Sequence, residues 1–501
     1  MAQVERQIEK NPKNSYSRFD ESGRFLQEGG NHPFVIYLKH LYIERGNMMA
    51  KAEHDLSAAR AMEMNTIKKL SIKQKTFVIT LFVLIVAALF YVNWTASSQL
   101  DLTIGIYGSV MIAYLLGKML LSFKYKAVEL DPPDLKVSVV IPSYNEEPEA
   151  VLGTIESILK QDYPIHEIFV IDDGSKDISG YEATLKLKEE LKEWSKETAA
   201  SISNGDPSYK LPNLIVHRLP QNQGKRHAQI WAFERGTGDV FVTVDSDCTV
   251  FPNAVRELLK PMNNPEVTAT TGHVNIRNRT DNILTRLIDM RYDNAFRVER
   301  AAHSVTNNVL VCSGPLSAYR RDIILNNLDH YGNQTFLGEK VQLGDDRCLT
   351  NYAIREGKTL YQETARCITD APTSLKTLLK QQSRWNKSFF RESLIALKIG
   401  LNKPNVFIWV MLEMFLWIAF GVSLGIAIYV TSVTVGWIML IYYFAYITIS
   451  AYARNVFYAY KRPLTFLMAP IYGILFLFLL CPLRFWALLT IRSNSWGTRG
   501  A

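Results

Sequence analysis

The sequence lacks the paired cysteines of a disulfide-stabilised or zinc-binding protein. Its 501 residues include 5 cysteines, at positions 248, 312, 348, 367 and 481. They are scattered and odd in number, and no two of them form a C-x-x-C pair. The pattern therefore argues against a disulfide framework and against a zinc site, and reduced thiols are the expected state.

The sequence also lacks a long apolar run near its start. Residues 1–74 are mixed and polar, and no small-residue cleavage site is obvious among them. We therefore expect no cleavable signal peptide. We interpret this stretch as a polar cytoplasmic arm, to which the sequence assigns no chemistry.

Motifs for nucleic acid binding are absent as well, although the net charge is +8. In a membrane protein, an excess of Lys and Arg is first explained by cytoplasmic flanks that lie near anionic lipid. Membrane lipid is therefore an expected partner, and nucleic acid is not.

Long apolar runs lie on both sides of the middle of the chain, although the mean hydropathy is −0.02. Residues 76–97 carry no charge and, at about 1.5 Å per residue, are long enough to cross about 30 Å of hydrocarbon. Residues 102–123 are apolar except for Lys118, so we predict a transmembrane hairpin at 75–124. The positive-inside rule places both flanks in the cytoplasm because of Lys68, Lys69, Lys73, Lys75, Lys124 and Lys126.

A second set of apolar runs occupies residues 404–492. The runs 406–430 and 435–453 predict another hairpin, and the run 464–491 contains Pro470 and Pro482. About 28 residues are too few for two crossings, so we predict a re-entrant or broken segment there. We expect a multi-pass protein of the cell membrane with a short C-terminal segment at 493–501.

Between these clusters, residues 125–370 contain short β-branched runs that alternate with helical periods. Strands are predicted at 137–141, 167–171, 214–217 and 239–244. Helical segments between them imply right-handed crossovers and a mostly parallel sheet, whose ligands collect where the strands end. We therefore predict an α/β catalytic domain with its site in the loops that follow the strands.

Asp245 and Asp247 follow the fourth predicted strand. Extended backbone points both carboxylates to one face, where two hard oxygen ligands suit Mg²⁺ or Mn²⁺. Such an ion bridges to a diphosphate and neutralises a leaving group. A D-x-D spacing also arises by chance, so its position after a strand is what favours function.

Two further loops suit a nucleotide. Asp172 and Asp173 end the second predicted strand, where a carboxylate accepts hydrogen bonds from uracil or ribose; a turn or a helix cap is the alternative. The residues 222–226, Asn-Gln-Gly-Lys-Arg, open a predicted helix with a flexible glycine and two cations. Free N–H groups at a helix start suit a diphosphate, although basic pairs are also common on surfaces.

The residues 344–347, Gly-Asp-Asp-Arg, offer a general base. A sugar hydroxyl must lose its proton while it attacks an anomeric carbon, and a positioned aspartate accepts that proton. A capped helix with an internal salt bridge is the alternative.

Residues 371–403 predict amphipathic interfacial helices. Gln381, Arg384 and Trp385 share one helical face there, at spacings i, i+3 and i+4. An amide, a cation and an indole suit an acceptor sugar and a departing diphosphate. A tryptophan near basic residues is also a frequent interfacial anchor, and both roles are compatible.

Seven motifs occur in one order between the two membrane clusters: PSYNE, DDGS, DSD, SGPLSAYRR, GDDR, QQSRW and WGTR. This constellation resembles the hyaluronan synthases, within the family 2 inverting glycosyltransferases, over residues 104–499. The stretches NQGKRHAQIWAFER, RYDNAF, CSGPLSAYRRDI and NQTFLG are similar to the bacterial membrane-integrated form. The arm before residue 74 and the stretch 181–211 depart from that compact pattern, and neither contains a motif.

The resemblance implies a Rossmann-like GT-A domain inserted between N- and C-terminal transmembrane helices. It also implies processive polymerisation of UDP-GlcNAc and UDP-GlcA into hyaluronan, with export of the nascent polysaccharide. The implied catalytic residues are Asp346, as the base, and Asp345, while Asp245 and Asp247 hold UDP through Mg²⁺ or Mn²⁺. The implied nucleotide-binding residues are Tyr144, Glu146, Asp173, Lys225, Arg384, Trp496 and Arg499, and the acceptor-binding residues are Gln381, Trp385, Cys312, Ser313 and Gly314.

Two other functions and one other role remain open from the residues alone. A chitin or chitin-oligosaccharide synthase needs one UDP-sugar where hyaluronan needs two, and GDDR with SGPLS favours hyaluronan. A non-enzymatic transporter is disfavoured, because ionisable groups in a cleft are costly to keep without partners. Cys312 is alternatively an ordinary buried cysteine. The sequence does not specify the oligomeric state, and a monomer is compatible with it.

Overall fold

The computed structural model describes residues 71–99, 102–201, 211–430 and 438–493. Residues 71–192 and the described residues from 211 onward belong to one compact unit. The predicted site residues Trp496 and Arg499 and the polar arm up to residue 70 lie outside the described residues.

Two long apolar helices begin the described chain, α1 (Ile72–Gln99) and α2 (Leu102–Lys124). Leu89 of α1 and Met119 of α2 lie in a buried cluster with Phe420 from the C-terminal region. Large apolar side chains on the opposite surface remain exposed, as Leu84 is at 63%. A helix that is apolar on all sides suits a lipid environment, so both predicted apolar runs form helices of the expected kind.

The central domain is built on ten described strands, which the sequence places in this order: β1 (Val137–Ser143), β2 (Glu167–Asp172), β3 (Asn213–Arg218), β4 (Val240–Thr243), β5 (Thr249–Val250), β6 (Val267–Ile276), β7 (Ser317–Arg320), β8 (Thr335–Phe336), β9 (Glu339–Lys340) and β10 (Lys358–Thr369). Eight of them form one sheet in the order β3-β2-β1-β4-β7-β6-β10-β5, and β8 pairs with β9.

The first four strands confirm the predicted α/β pattern. β1 is parallel to both β2 and β4, and β2 is parallel to β3. Every residue of β1, β2 and β4 is buried, which is why these strands read as continuous β-branched runs. The sheet as a whole is mixed, because β7 runs antiparallel to β4 and β6.

Helices cover the sheet and connect its strands: α3 (Pro148–Leu159), α4 (Ser179–Ser201), α5 (Lys225–Arg235), α6 (Ala254–Leu259), α7 (Ile283–Asn294), α8 (Ala301–Val305), α9 (Arg321–Leu325), α10 (Leu328–Asn333), α11 (Asp345–Glu356) and α12 (Leu375–Gly400). A 3₁₀ turn at Lys260–Asn263 follows α6, and a π-helical segment at Ala295–Arg300 joins α7 to α8.

The C-terminal region consists of α13 (Pro404–Val430), α14 (Ile438–Arg454), α15 (Val456–Lys461), α16 (Pro463–Leu467), α17 (Ala469–Leu475), a π-helical segment at Phe476–Leu480, and α18 (Cys481–Leu489). Among the described residues, four stretches are long and apolar enough to cross a membrane: 72–95, 106–124, 404–426 and 463–489. The last stretch is interrupted, as predicted for a run with two prolines. Apolar helices therefore flank the central domain on both sides, as expected of a membrane protein.

Candidate active site

The ammonium group of Lys225 connects two of the predicted acidic motifs. Its Nζ lies 2.5 Å from Oδ1 of Asp245 and 3.1 Å from Oδ2 of Asp345. Burial alone would lower the pKa of Lys225, but the two carboxylates outweigh burial and raise it above its ordinary value. The D-x-D loop after β4 and the N-terminus of α11 are therefore held together by one cation.

Asp173 positions the loop that carries this lysine. Its carboxylate accepts hydrogen bonds from the backbone N–H of Gln223 at 3.0 Å and of Gly224 at 2.8 Å. Gly224 directly precedes α5 with φ of 96°, a conformation that favours glycine. Burial raises the pKa of Asp173 to about 6. The structure thus gives Asp173 a contact with the predicted phosphate loop that sequence reasoning missed.

Asp172 stabilises a turn. A turn or a helix cap was the alternative to nucleotide binding that the sequence left open for this loop. Asp172 accepts hydrogen bonds from the backbone N–H of Ser175 at 2.9 Å and from the Ser175 hydroxyl, and it pairs with Nε of Arg218 at 3.3 Å. Its two oxygens are therefore occupied within the loop that follows β2.

The loops after β1, β2 and β4 contact one another. Asn145, with φ of 49°, accepts a hydrogen bond from the backbone N–H of Lys176 at 2.9 Å. Glu146 accepts one from the hydroxyl of Ser246 at 3.0 Å, which places it at the D-x-D loop. Tyr144, half-buried, is in the same loop as Glu146. The structure therefore assembles these predicted nucleoside-binding residues at one edge of the sheet.

The two aspartates at the start of α11 differ in their electrostatic surroundings. Burial favours a higher pKa for Asp345, but Lys225 and Arg226 hold it below its ordinary value. Burial and the neighbouring Asp345 carboxylate raise the pKa of Asp346 to about 6. Two adjacent carboxyls whose pKa values are pushed apart are a recognised arrangement for acid–base chemistry. The ionised form is therefore favoured at Asp345 and disfavoured at Asp346.

The predicted acceptor loop lies against the lysine site. A Cβ on Gly314 would stand 3.3 Å from both Asp245 Oδ1 and Lys225 Nζ, so the loop backbone closely approaches the ion pair. Ser313 accepts a hydrogen bond from Nη2 of Arg300 at 2.8 Å. Arg300 belongs to the π-helical segment and was missed by sequence reasoning, although RYDNAF in the same stretch marked the region.

Cys312 is fully buried, and its backbone N–H donates to the hydroxyl of Thr350 on α11 at 2.9 Å. Burial raises the pKa of its thiol to about 12, so the thiol stays protonated. These features agree with the alternative of a buried cysteine. Its backbone nevertheless links the acceptor loop to the helix that begins with Asp345 and Asp346.

Helix α12 carries the other predicted acceptor residues. The indole of Trp385 is 44% exposed, whereas Gln381 and Arg384 are half-buried. Gly344, with φ of 85°, approaches this helix so closely that an added Cβ would lie 2.0 Å from the hydroxyl oxygen of Ser388. α11 and α12 therefore meet next to the paired aspartates.

A buried polar network holds these helices in place. Arg226 donates to Oε1 of Gln334 at 2.7 Å and to the carbonyl of Leu343 at 3.2 Å. Gln334 in turn donates to Glu392 on α12 at 2.9 Å, and Asn351 on α11 donates to the same carboxylate at 2.9 Å. Sequence reasoning treated Arg226 as a second phosphate cation, whereas the structure places it inside this network.

The donor set at the D-x-D loop is compatible with a hard divalent cation. Among the residues that the structure describes, no three His, Cys, Asp or Glu side chains converge on a metal position. Mg²⁺ is commonly bound by one or two carboxylates, with phosphate and water as its other ligands, so the two carboxylates of this loop suit it. Asp245 already holds the ammonium of Lys225, so its carboxylate is oriented toward a cation.

Family models match most of the domain and the C-terminal helices. Residues 138–326 match the glycosyl transferase family 2 model, and residues 240–490 match the glycosyl transferase family group 2 model. The second match continues from the sheet into the last apolar helix, so one family pattern covers both parts.

Curated relatives give a closer assignment. A hyaluronan synthase of Streptococcus pyogenes serotype M6 is 49% identical over 426 residues, which cover 85% of this chain and 97% of that protein. The chain belongs to the hyaluronan synthase family. An N-acetylglucosaminyltransferase of Rhizobium meliloti is 34% identical over 409 residues, covering 79% and 90% of the two chains. This member of the hyaluronan synthase family is a glycosyltransferase whose donors are UDP-sugars.

Among solved structures, a mannosyltransferase from Pyrobaculum calidifontis in complex with GDP-Man and Mn²⁺ aligns with a TM-score of 0.49 and 17% identity. The alignment covers 78% of this hyaluronan synthase family member and 96% of that chain.

Proposed function

We propose that this chain is a processive inverting glycosyltransferase that joins N-acetylglucosamine and glucuronate from UDP-GlcNAc and UDP-GlcA into hyaluronan and exports the polymer. The observation that carries the proposal is the junction of Asp245, Lys225 and Asp345, with Asp346 beside it. It sets a candidate diphosphate position next to a carboxyl whose raised pKa suits a general base.

The donor nucleotide is proposed to lie along the loops after β1, β2 and β4. Tyr144, Glu146 and Asp173 would hold the uridine, and Lys225 with the N-terminus of α5 would hold the diphosphate. Asp245 and Asp247 would bind Mg²⁺ or Mn²⁺, which when bound supplies positive charge against the leaving diphosphate. Arg384 and, beyond the described residues, Trp496 and Arg499 are proposed to close over the nucleotide.

The chemical step is proposed as a single displacement. The acceptor hydroxyl attacks the anomeric carbon, its proton passes to the carboxylate of Asp346, and the bond to the UDP oxygen breaks. Attack opposite the leaving group converts an α-linked donor into a β linkage. Asp345 takes no proton, because Lys225 and Arg226 hold its pKa low.

The acceptor sugar is proposed to rest between the loop 312–314 and α12. The exposed indole of Trp385 offers a flat apolar face to a sugar ring, and Gln381 offers an amide on the same side. Cys312, Ser313 and Gly314 would contribute through backbone position, since the Cys312 thiol is buried.

Export is proposed because α12 leads into α13 after three residues, so the acceptor helix is joined directly to a membrane helix. A hydrophilic polymer needs a path shielded from lipid, and the membrane helices of the same chain would supply it. The catalytic domain would face the cytoplasm of a cell whose membrane the chain crosses several times.

The test supplies the purified full chain with each UDP-sugar alone and with both together. Polymer that needs both donors, alternates the two sugars and is degraded by hyaluronidase is the expected result. Long polymer from UDP-GlcNAc alone would identify a chitin-type synthase and overturn the proposal.

A further inference from the structure

An arginine in the last apolar stretch is surrounded by aromatic rings. The guanidinium carbon of Arg484 on α18 lies 4.4 Å from the ring centre of Phe389, 5.9 Å from that of Phe390 and 5.5 Å from that of Trp417. Phe389 and Phe390 belong to α12, and Trp417 belongs to α13. We call these three rings and Arg484 the aromatic cage.

Arg484 has no counter-ion among the described residues. It forms no ion pair there, and its Nε is buried without a hydrogen-bond acceptor. The carboxylate that interacts electrostatically with Arg484 is that of Glu413, which is already paired with Lys118 at 3.1 Å and lies 3.6 Å from His303. A cation at membrane depth is costly to keep, and it is typically found where an anion or a polar pathway meets it.

Trp417 adds a second unused donor to the cage. Its side chain is only 6% exposed, and its indole Nε1 has no acceptor among the described residues. Buried donors of this kind usually have an acceptor, because a buried donor that makes no hydrogen bond costs free energy. Two such donors in one cluster indicate a position for a hydrogen-bond acceptor that binds there.

The cage adjoins the proposed acceptor site. Phe389 follows Trp385 by four residues and therefore lies on the same side of α12, one turn closer to α13. The guanidinium of Arg347, the residue after Asp346, lies 5.3 Å from the ring centre of Phe389. Arg484 and Trp417 both lie within stretches that can cross a membrane. The cage thus lies where α12, next to the proposed catalytic aspartates, meets two of the membrane helices.

The chemistry of the cage selects an acidic sugar. A guanidinium together with an indole N–H suits a carboxylate, because both are hydrogen-bond donors and the guanidinium is also a cation. A neutral sugar would leave the charge of Arg484 unmatched.

We propose that Arg484 and Trp417 bind the carboxylate of a uronate unit in the polymer as it passes from the acceptor site into the membrane region. This inference rests on the proposed function and extends it, by assigning to the cage a part in recognising every second sugar of the chain. Arg484 is a specificity-determining residue in this role, since it does not reach the reacting atoms.

The test measures binding of a hyaluronan oligosaccharide to the purified full chain in detergent. A matched oligosaccharide with its carboxylates reduced to alcohols serves as the neutral probe. The wild-type protein is expected to prefer the acidic probe at least about tenfold, as for a charge-assisted hydrogen bond. Arg484→Gln should lower that preference at least about fivefold, Arg484→Lys should restore part of it, and Trp417→Phe should lower it about twofold.

The matched control is Arg286→Gln, which removes an exposed arginine from α7 and should leave the preference unchanged. UDP affinity, measured in the same samples, should stay within about twofold of wild type in every variant and shows that each protein is folded. An unchanged preference in Arg484→Gln with normal UDP affinity would overturn the inference.

A second measurement separates the polymer from lipid. Polymer length is compared for wild type and Arg484→Gln in nanodiscs of neutral lipid and in nanodiscs with anionic lipid. A shorter product from the variant in both lipids is expected, and a difference that needs anionic lipid would identify a headgroup site and overturn the inference. Polymer made by the wild type from one donor alone would instead overturn the proposed function.

Discussion

The sheet edge and the membrane boundary each contain a lysine that is paired with carboxylate. Each region also contains one charged side chain that forms no ion pair in the described part of the chain, and these two side chains have opposite charges. At the sheet edge, Lys225 joins Asp245 and Asp345. At the membrane boundary, Lys118 joins Glu413, which His303 also approaches. Beside the first pair stands Asp346, and beside the second stands Arg484, and neither forms an ion pair among the described residues.

The difference between these two unpaired charges matches the two tasks that we propose for the protein, sugar transfer and binding of the polymer. A carboxyl with a raised pKa can accept a proton and later release it, so it suits a chemical step. An arginine cannot release its proton near neutral pH, so it suits lasting attraction to an anion. In the proposed scheme, a charged side chain without an ion pair serves turnover at the sheet edge and polymer binding near the membrane helices.

The largest expected effect comes from removing the leftover carboxylate. Asp346→Asn should lower polymer synthesis at least about 10³-fold, because no base remains at that position, while UDP affinity stays near wild type. Radiolabelled sugar incorporation and UDP binding measure the two effects. Asp329→Asn, at the exposed start of α10, is the control, and synthesis near wild type in Asp346→Asn would refute the base assignment.

Removing the lysine that connects the two acidic motifs should have the next largest effect. Lys225→Gln should lower synthesis about 10²-fold, because the diphosphate loses a cation and Asp345 loses its partner. It should also weaken UDP binding, which Asp346→Asn should not. Lys186→Gln removes a lysine from an exposed ion pair with Glu190 and should change synthesis less than about twofold. Equal UDP affinity in Lys225→Gln and wild type would contradict the assignment.

The pH dependence of synthesis tests the titration of Asp346. Its pKa of about 6 means that the base form is lost as the pH falls, so activity should drop about tenfold per pH unit below about 6. Lys225 lowers the pKa of Asp346, so Lys225→Gln should move this acid limb to higher pH. Rates of UDP release across pH measure both, and an acid limb below about pH 5 would argue against Asp346 as the titrating group.

The membrane pair should show the smallest effect. Lys118→Met and Glu413→Gln should each lower the free energy of unfolding, and the double variant should lose less than the sum by about 1 kcal/mol. Thermal unfolding in detergent measures this coupling. The control pair joins the exposed Lys186 to the half-buried Glu190 at 3.9 Å and should couple by less than about 0.5 kcal/mol, because its lysine is in solvent whereas Lys118 is buried. Equal coupling of the two pairs would show that burial adds nothing at the membrane boundary.

Sequence patterns predicted the half of the sheet whose strands contain runs of Val, Ile, Leu and Phe. β1, β2 and β4 are buried on both faces and are rich in Val and Ile. Continuous runs of these residues in the sequence therefore predict the strands. β6 was missed because its buried positions include Thr268, Thr270 and Thr271, whose hydroxyls find buried or partly buried carbonyls instead of an apolar partner. β10 was missed because register shifts interrupt its pairing with β6 and break the alternation of side chains.

Site residues were predicted where the residues of one short motif together indicate a role. Contacts were missed where the two partners lie far apart in the sequence. Asp245 and Asp346 were predicted from local motifs, and their roles stay predictions. The contact of Asp173 with Gly224 spans 51 residues, and that of Arg226 with Gln334 spans 108, so no local pattern contains them. Arg484 was missed for the same reason, since its aromatic neighbours lie on two other helices.

The close approach of Gly344 to Ser388 has a consequence for sequence variation and laboratory evolution. An alanine at position 344 would place its Cβ 2.0 Å from the Ser388 hydroxyl and would also occupy a left-handed backbone conformation. Replacing Ser388 by glycine relieves the collision but leaves the backbone cost of about 1 kcal/mol or more. Libraries that randomise α11, the helix that begins with Asp345 and Asp346, should therefore keep glycine at position 344. Position 388 is then expected to accept only small residues.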